Sequence, residues 1–224
     1  MDNKERIARK IAFDIEDGVF INFGHGIPFS VPQYISSDKK ILVENESGIV
    51  GFGLGPPAPA GIYDYLDVSN SFVSNLPSGA YLTDTVSSFA MIRGGHIDIT
   101  VLGAMEVDEH ASIANWKVPG KPASGIGGAM DLCAGCKEVW AAMESTTKNG
   151  DPKLVKNCSY PLTAKGKVTR VYTEFGLVYV NPNDGFRLIE IFTDYTLEIV
   201  RKIVGAEIKV ADDLRQIDPA ILEP

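Results

Sequence analysis

Charged and apolar residues recur at helical spacing over residues 3 to 16, with Ile7, Ile11, Phe13 and Ile15 available for burial, and Asp17-Gly18 closes the segment. Val19 to Phe23 then reads as a strand. The turn Gly24-His25-Gly26-Ile27-Pro28 follows directly, Val31 to Ser36 forms a short helix, and Lys40-Ile41-Leu42-Val43 is a second, buried strand. A strand, glycine turn, helix and strand in that order make a crossover unit with a parallel pair, which places the chain in the α/β class.

The pattern continues without repeats. Gly55-Pro56-Pro57-Ala58-Pro59-Ala60-Gly61 is a loop, because proline removes backbone donors and fixes its own dihedral, and Asp67 to Ser78 is polar and irregular. Ser87 to Ile92 packs as a helix ending at Gly94-Gly95. Ile97 to Leu102 alternates as a strand, with Asp98 and Thr100 on one side and Ile97, Ile99 and Val101 on the other. A glycine cluster from Ser124 to Leu132 precedes an apolar helix over Leu132 to Met143, within which Val139 to Met143 fits either a continuing helix or a new strand. Val168 to Thr173 and Gly176 to Val180 are strands, with a turn at Asn181 to Gly185. The tail ends in a helix from about Thr196 and a proline-bearing C-terminus. No linker separates independent domains, so residues 1–224 are expected to form one unit.

Composition narrows the classes. With 224 residues, the chain is long enough to bury about 70% of its unfolded surface. Its hydrophobic and charged fractions, 45% and 22%, are those of a globular protein. No apolar run approaches the roughly 20 residues that span a bilayer, and Met1-Asp2-Asn3-Lys4-Glu5-Arg6 lacks a signal peptide's apolar segment, so a cytoplasmic protein is expected and a membrane partner is not. The net charge is −8 and no basic stripe accumulates, which argues against nucleic acid. Three cysteines are too few for a disulfide framework and fit a reducing compartment. Cys133 and Cys136 have redox or zinc spacing, but zinc requires two further ligands. Only Cys158 and the scattered His25, His96 and His110 remain, so the pair reads as small core hydrophobes and no metal site is expected.

Candidate chemistry concentrates where an apolar strand meets glycines, in Val43-Glu44-Asn45-Glu46-Ser47-Gly48-Ile49-Val50-Gly51-Phe52-Gly53. Ligands of open α/β sheets collect at the carboxyl ends of strands, and a carboxylate stands there. Glu44 and Glu46 are two apart and share one strand face, with Asn45 on the other, so both compete for the role. Gly24-His25-Gly26 lacks the full spacing of a dinucleotide fingerprint. Gly125-Ile126-Gly127-Gly128 lies just before a helix, where free backbone N–H groups can hold an oxyanion or phosphate. Arg93 at a helix end can meet a phosphate or neutralise the terminal carbonyls.

Taken in order, these segments resemble the B, or beta, subunit of the two-subunit class I coenzyme A transferases that act on 3-oxoacids, butyrate and acetate. The resemblance covers residues 5 to 205. It rests on Asn22-Phe23-Gly24-His25-Gly26-Ile27-Pro28, on Asn45-Glu46-Ser47-Gly48-Ile49-Val50-Gly51-Phe52-Gly53, and on Ser88-Phe89-Ala90-Met91-Ile92-Arg93-Gly94-Gly95-His96-Ile97-Asp98. Thr100-Val101-Leu102-Gly103-Ala104, Ile113-Ala114-Asn115-Trp116, Val118-Pro119-Gly120-Lys121, Gly127-Gly128-Ala129-Met130-Asp131-Leu132 and Pro161-Leu162-Thr163-Ala164 extend it.

The resemblance implies an open, mixed, largely parallel sheet flanked by helices in three layers. It also implies transfer of CoA between a short-chain acyl-CoA (3-oxoacyl, succinyl, butyryl or acetyl) and a carboxylic acid. The family nucleophile is the glutamate of a Ser-Glu-Asn-Gly motif, and Asn45-Glu46-Ser47-Gly48 is similar to it, which selects Glu46 over Glu44. Asn45 stands where the family has Ser, and Ser47 where it has Asn. By the same resemblance Gly127 and Gly128 supply oxyanion N–H groups, while Gly24, Gly26, Ser47 and Gly48 line the substrate. Coenzyme A is a substrate, and no other cofactor is implied. The partner would be an A (alpha) subunit in an A2B2 assembly. Two other readings use the same residues: an acyl-CoA hydrolase acting through the same glutamate, and a non-catalytic acyl-CoA-binding or scaffold subunit.

Overall fold

The computed structural model describes residues 1–51, 78–123 and 125–222; the predicted loop over Gly55 to Gly61 and the predicted irregular stretch over residues 67–77, together with Phe52, Gly53 and Ser124, lie outside them. Helix α1 (Asn3–Asp14) starts on an Asp2 cap, whose side chain accepts the Glu5 N–H. It leads into β1 (Phe20–Phe23), a short α2 (Ile27–Ser30) continued by a 3-10 turn over Val31–Tyr34, and β2 (Leu42–Asn45). The predicted crossover is present: β1 and β2 pair in parallel, Ile21 opposite Val43 and Asn22 opposite Glu44.

A tight turn leads from β2 to β3 (Ile49–Val50), and β4 (Tyr81–Leu82) follows. After α3 (Thr85–Arg93) the chain enters β5 (Ile99–Gly103). The strands β6 (Glu106–Asp108) and β7 (Ile113–Ala114) come next, then α4 (Ala129–Gly135), β8 (Glu138–Ala142) and β9 (Leu154–Val155). Strands β10 (Arg170–Thr173), β11 (Gly176–Asn181) and β12 (Gly185–Phe192), helix α5 (Leu197–Ile203) and β13 (Ile208–Ile217) complete the order.

Ten strands form one sheet in the order β13-β12-β11-β10-β8-β5-β1-β2-β3-β4. The central five, β10-β8-β5-β1-β2, run parallel, and antiparallel pairs flank them on both sides. Strands β7, β6 and β9 make a second, small sheet. The period-2 alternation of side chains divides the main core between the two faces. Val139 and Ala141 of β8 pack with Ile92, Leu132 and Val200 from α3, α4 and α5. Trp140 and Ala142 of the same strand pack with Ile7, Ile11 and Ile15 on the α1 side. Helices therefore cover both faces, as the predicted three layers require.

Four expectations change. Phe13 is 54% exposed, because it lies about 200° around α1 from Ile11, while Ala8 and Ala12 complete the buried stripe instead. The cysteine-bearing helix stops at Gly135, and of the two readings open for Val139 to Met143 it is the strand that forms, within β8. A Cβ on Gly135 would stand 2.0 Å from the Ile92 carbonyl oxygen, so only glycine lets α4 approach α3 this closely. Ile97 precedes β5 and packs on the opposite face from Ile99 and Val101. The C-terminal stretch contains β13, an edge strand parallel to β12.

Ionic contacts fasten α1 to the far strands. Lys10 is only 2% exposed and lies 2.5 Å from Asp14 and 2.6 Å from Glu190 of β12, to which Arg215 of β13 also pairs.

Candidate active site

Glu46 begins the turn after β2. The Gly48 N–H donates to the Asn45 carbonyl at 2.9 Å and closes the turn, and the Ser47 N–H donates to Asn45 Oδ1 at 2.8 Å. Gly48 has φ +104°, and a Cβ there would stand 2.2 Å from the Thr83 carbonyl oxygen. Glycine is obligatory on both counts. The Thr83 N–H in turn donates to the Gly48 carbonyl at 2.8 Å, fastening the turn to the segment before α3.

The Glu46 side chain reaches the start of α4. A Cβ built on Gly128 would lie 3.3 Å from Glu46 Cγ, 3.4 Å from Glu46 Oε1 and 3.1 Å from Phe89 Cζ. The fold thus brings together Glu46 and Gly128, residues 82 positions apart in a chain whose sequence names them separately. Gly127, at φ +54°, turns the backbone into the helix. The Phe89 ring supplies an apolar wall, and the Arg93 guanidinium lies 5.4 Å from its centroid while its Nε donates to Asp131 at 2.7 Å. Arg93 thus ties α3 to α4.

Gly24 and Gly26 occupy the carboxyl end of β1, beside β2. Gly24 is held by the approach of β5: its N–H donates to Val101 at 2.8 Å, and a Cβ would stand 3.2 Å from both Leu102 Cδ2 and the Val101 oxygen. Gly26, with φ +82°, has open space where a Cβ would be. None of the distances above joins these two glycines to the Glu46 carboxylate.

Glu44 has a different environment from its neighbour. It is 1% exposed, and its carboxyl accepts from Asn22 Nδ2 at 2.8 Å and from the Ser88 hydroxyl at 2.6 Å. The Asn22 Oδ1 accepts from the Thr100 hydroxyl at 3.2 Å. Thr100, Asn22 and Glu44 stand at one register level on β5, β1 and β2. Burial raises the Glu44 pKa to about 7, against the two hydrogen bonds, and the Glu46 charge adds to the rise. Sequence reasoning gave Asn22, Ser88 and Thr100 no role. Two polar residues in otherwise apolar strands, opposite a third in a parallel register, were the available signal.

The remaining candidates are dispersed. Cys133 is buried in the core and Cys136 packs beside it, and burial pushes both thiols up to about 12. These are not activated thiolates. His25, His96 and His110 are exposed on separate loops, and among the described residues no group of His, Cys, Asp and Glu side chains could hold a metal ion. No described helix is long and apolar enough to cross a membrane.

The model of the coenzyme A transferase family matches residues 4–202. The chain belongs to that family. The acetate CoA-transferase subunit beta of Escherichia coli K12 is 41% identical over 214 residues, covering 96% of this chain and 97% of the relative. A mitochondrial succinyl-CoA:3-ketoacid coenzyme A transferase 2A of Rattus norvegicus is 37% identical over 213 residues, covering 95% of this chain but 41% of the relative. The chain therefore spans about two fifths of such longer relatives. An acyl-CoA transferase from Escherichia coli O157:H7 shares the fold with a TM-score of 0.76 at 22% identity, over 99% of this chain and 44% of that one. The family expected from the ordered motifs is the family found, and its members share the mixed, largely parallel sheet between helices.

Proposed function

We propose that this chain is the catalytic B subunit of a two-subunit CoA transferase and that Glu46 is its nucleophile. The reading is carried by one observation: a carboxylate on a glycine turn, at the carboxyl end of a parallel strand, lies against the glycine that opens α4. One Glu46 oxygen attacks the acyl-CoA carbonyl, the C–S bond breaks, and CoA leaves as a thiolate from a mixed anhydride. The thiolate then attacks the Glu46 carbonyl carbon, the first acid departs as its carboxylate, and a glutamyl-CoA thioester remains. A second carboxylate reverses both steps. Thioester energy passes through the enzyme, so the scheme draws on no nucleotide, metal or redox cofactor, and coenzyme A enters as substrate.

In this scheme Gly127 and Gly128 offer backbone N–H groups to the oxyanion, and losing one such donor typically costs about 3 kcal/mol of barrier. Gly24, Gly26, Ser47 and Gly48 line the acyl and CoA path. The whole chain acts as one unit, a reading supported by the continuous ten-stranded sheet. Its partner is an A subunit completing the site at an A2B2 interface, in the cytoplasm, where the three free thiols stay reduced. Substrates are short-chain acyl-CoAs of the 3-oxoacyl, succinyl, butyryl or acetyl type.

The test reconstitutes the chain with an A subunit and follows acid-dependent CoA exchange, with borohydride or hydroxylamine trapping of the acyl-enzyme. Glu46→Gln should lose exchange by about three orders of magnitude or more and form no adduct. Exchange that survives Glu46→Gln but not Glu44→Gln would assign the wrong carboxylate. Consumption of acyl-CoA without an acceptor acid would replace transfer by hydrolysis.

A further inference from the structure

The Ser88 hydroxyl lies 2.6 Å from Glu44 Oε1 and 3.4 Å from the Asn45 carbonyl, the oxygen that also accepts the Gly48 N–H and closes the Glu46 turn. One hydroxyl has one proton to give. While Glu44 is ionised, Ser88 donates to it. Once Glu44 carries a proton on Oε1, that proton goes to the Ser88 oxygen, and the hydroxyl hydrogen swings to the Asn45 carbonyl. The protonation state of a carboxyl buried behind the strand is thus connected, through one side chain, to the turn that presents Glu46.

We propose that Glu44 is a positioning residue whose single proton is exchanged with the covalent state of Glu46, held while Glu46 is a free carboxylate and released when Glu46 is a thioester. This rests on the reading of Glu46 as nucleophile. Glu46 stands two residues beyond Glu44, in the turn closed on the Asn45 carbonyl that Ser88 also reaches, and its charge raises the buried Glu44 carboxyl further, so the two resist being ionised together. Thioester formation removes the Glu46 charge and with it that resistance.

Among the described residues, the groups facing Glu44 are few in kind. Asn22 from β1, Thr100 through Asn22 from β5, and Ser88 from α3 are neutral. Glu46 faces it electrostatically from the following turn, and Cys136, after α4, feels the Glu44 charge but stays protonated near neutrality. Burial sets the Glu44 transition near pH 7, within the range where it acts as a switch.

The transfer chemistry itself neither takes up nor releases a proton: carboxylate plus acyl-CoA gives enzyme thioester plus free carboxylate. A proton released on thioester formation at neutral pH therefore comes from a linked group. By linkage, raising the pH favours the thioester over free Glu46.

Intact-mass spectrometry of the assembled A and B subunits tests this, after equilibration at fixed ratios of acetyl-CoA to acetate, butyryl-CoA to butyrate and succinyl-CoA to succinate across pH 6 to 8. The ratio of CoA-modified to free B chain should rise at least about fivefold over that range in the native protein and stay flat in Glu44→Gln. An adduct in the variant itself reports an intact site. In Ser88→Ala the midpoint should move to higher pH, since a donor to the charged carboxyl is lost; this decides the matter should Glu44→Gln form no adduct. A native ratio independent of pH, a Glu44→Gln slope equal to the native one, or an unmoved midpoint in Ser88→Ala overturns the proton linkage while leaving Glu46 as nucleophile. No adduct on the native chain with any pair overturns both.

Discussion

Glu44 and Glu46, two residues apart, meet opposite surroundings, and the difference has a thermodynamic signature in Glu44. Its folded pKa of about 7 exceeds the ordinary 4.5, so between those values the unfolded chain ionises first. The stability contributed by the protonated group is complete below about pH 4.5 and is lost as pH rises through about 7, a change of about 3 kcal/mol. Glu44→Gln lacks this term. Urea unfolding of both proteins at pH 4.5, 6 and 8 should show the variant gaining on the native chain by that amount, with parallel curves as the contrary result. At this scale the sequence named Glu46 and Gly128 through ordered motifs. It left Asn22, Ser88 and Thr100 unassigned, because their importance lies in a register across three strands that the chain order does not display.

Among the elements, α4 carries the closest tolerance. Its first turn lies against Glu46 and Phe89 at Gly128, whose φ of −82° any residue adopts. Gly128→Ala therefore adds volume without backbone strain. The methyl group displaces the carboxylate or the ring by a few tenths of an ångström, where a full 1 Å misplacement of reacting groups costs about 10²-fold. A fall in exchange of about tenfold, with a Tm within a few degrees of native, is expected; an unchanged rate would mean that Glu46 does not react from this position. Amphipathic period marked α1, α3 and the parallel pair β1–β2, because each has a continuous apolar stripe or run. It left the stretch after Gly135 undecided, because both faces of β8 are buried and a five-residue apolar run fits helix and strand alike. Strand β13 was hidden for the opposite reason: as an edge strand it carries Lys209, Asp212, Asp213 and Arg215, and only Ile208 and Ala211 are buried. The short strands β6, β7 and β9 have too few residues to show a period.

For the molecule as a whole, Lys10, Glu190 and Arg215 join the first helix to the last strands. Breaking a buried pair by removing one partner leaves an uncompensated charge, so Lys10→Met should destabilise the chain by about 3–5 kcal/mol. Lys10→Met with Glu190→Gln should recover much of that loss in chemical denaturation, and failure to recover would assign Lys10 a packing role alone. The α/β class and the largely parallel sheet were legible in the alternation of segments. The span of the sheet was not, since β10 to β13 depend on partners rather than on local pattern.

The central register has a further consequence. Ile21 pairs with Val43 nearby but also with Ile99, and Ile99 with Glu138, so the middle of the sheet closes over long stretches of chain. Contacts of such sequence separation form slowly, because loop-closure entropy precedes their reward. Asn22 and Ser88 reach Glu44, and Glu46 reaches Gly128, only when those closures are complete. During synthesis and refolding, the candidate site is thus among the last features to appear, and a half-folded chain has Glu46 without the surroundings on which its proposed role depends.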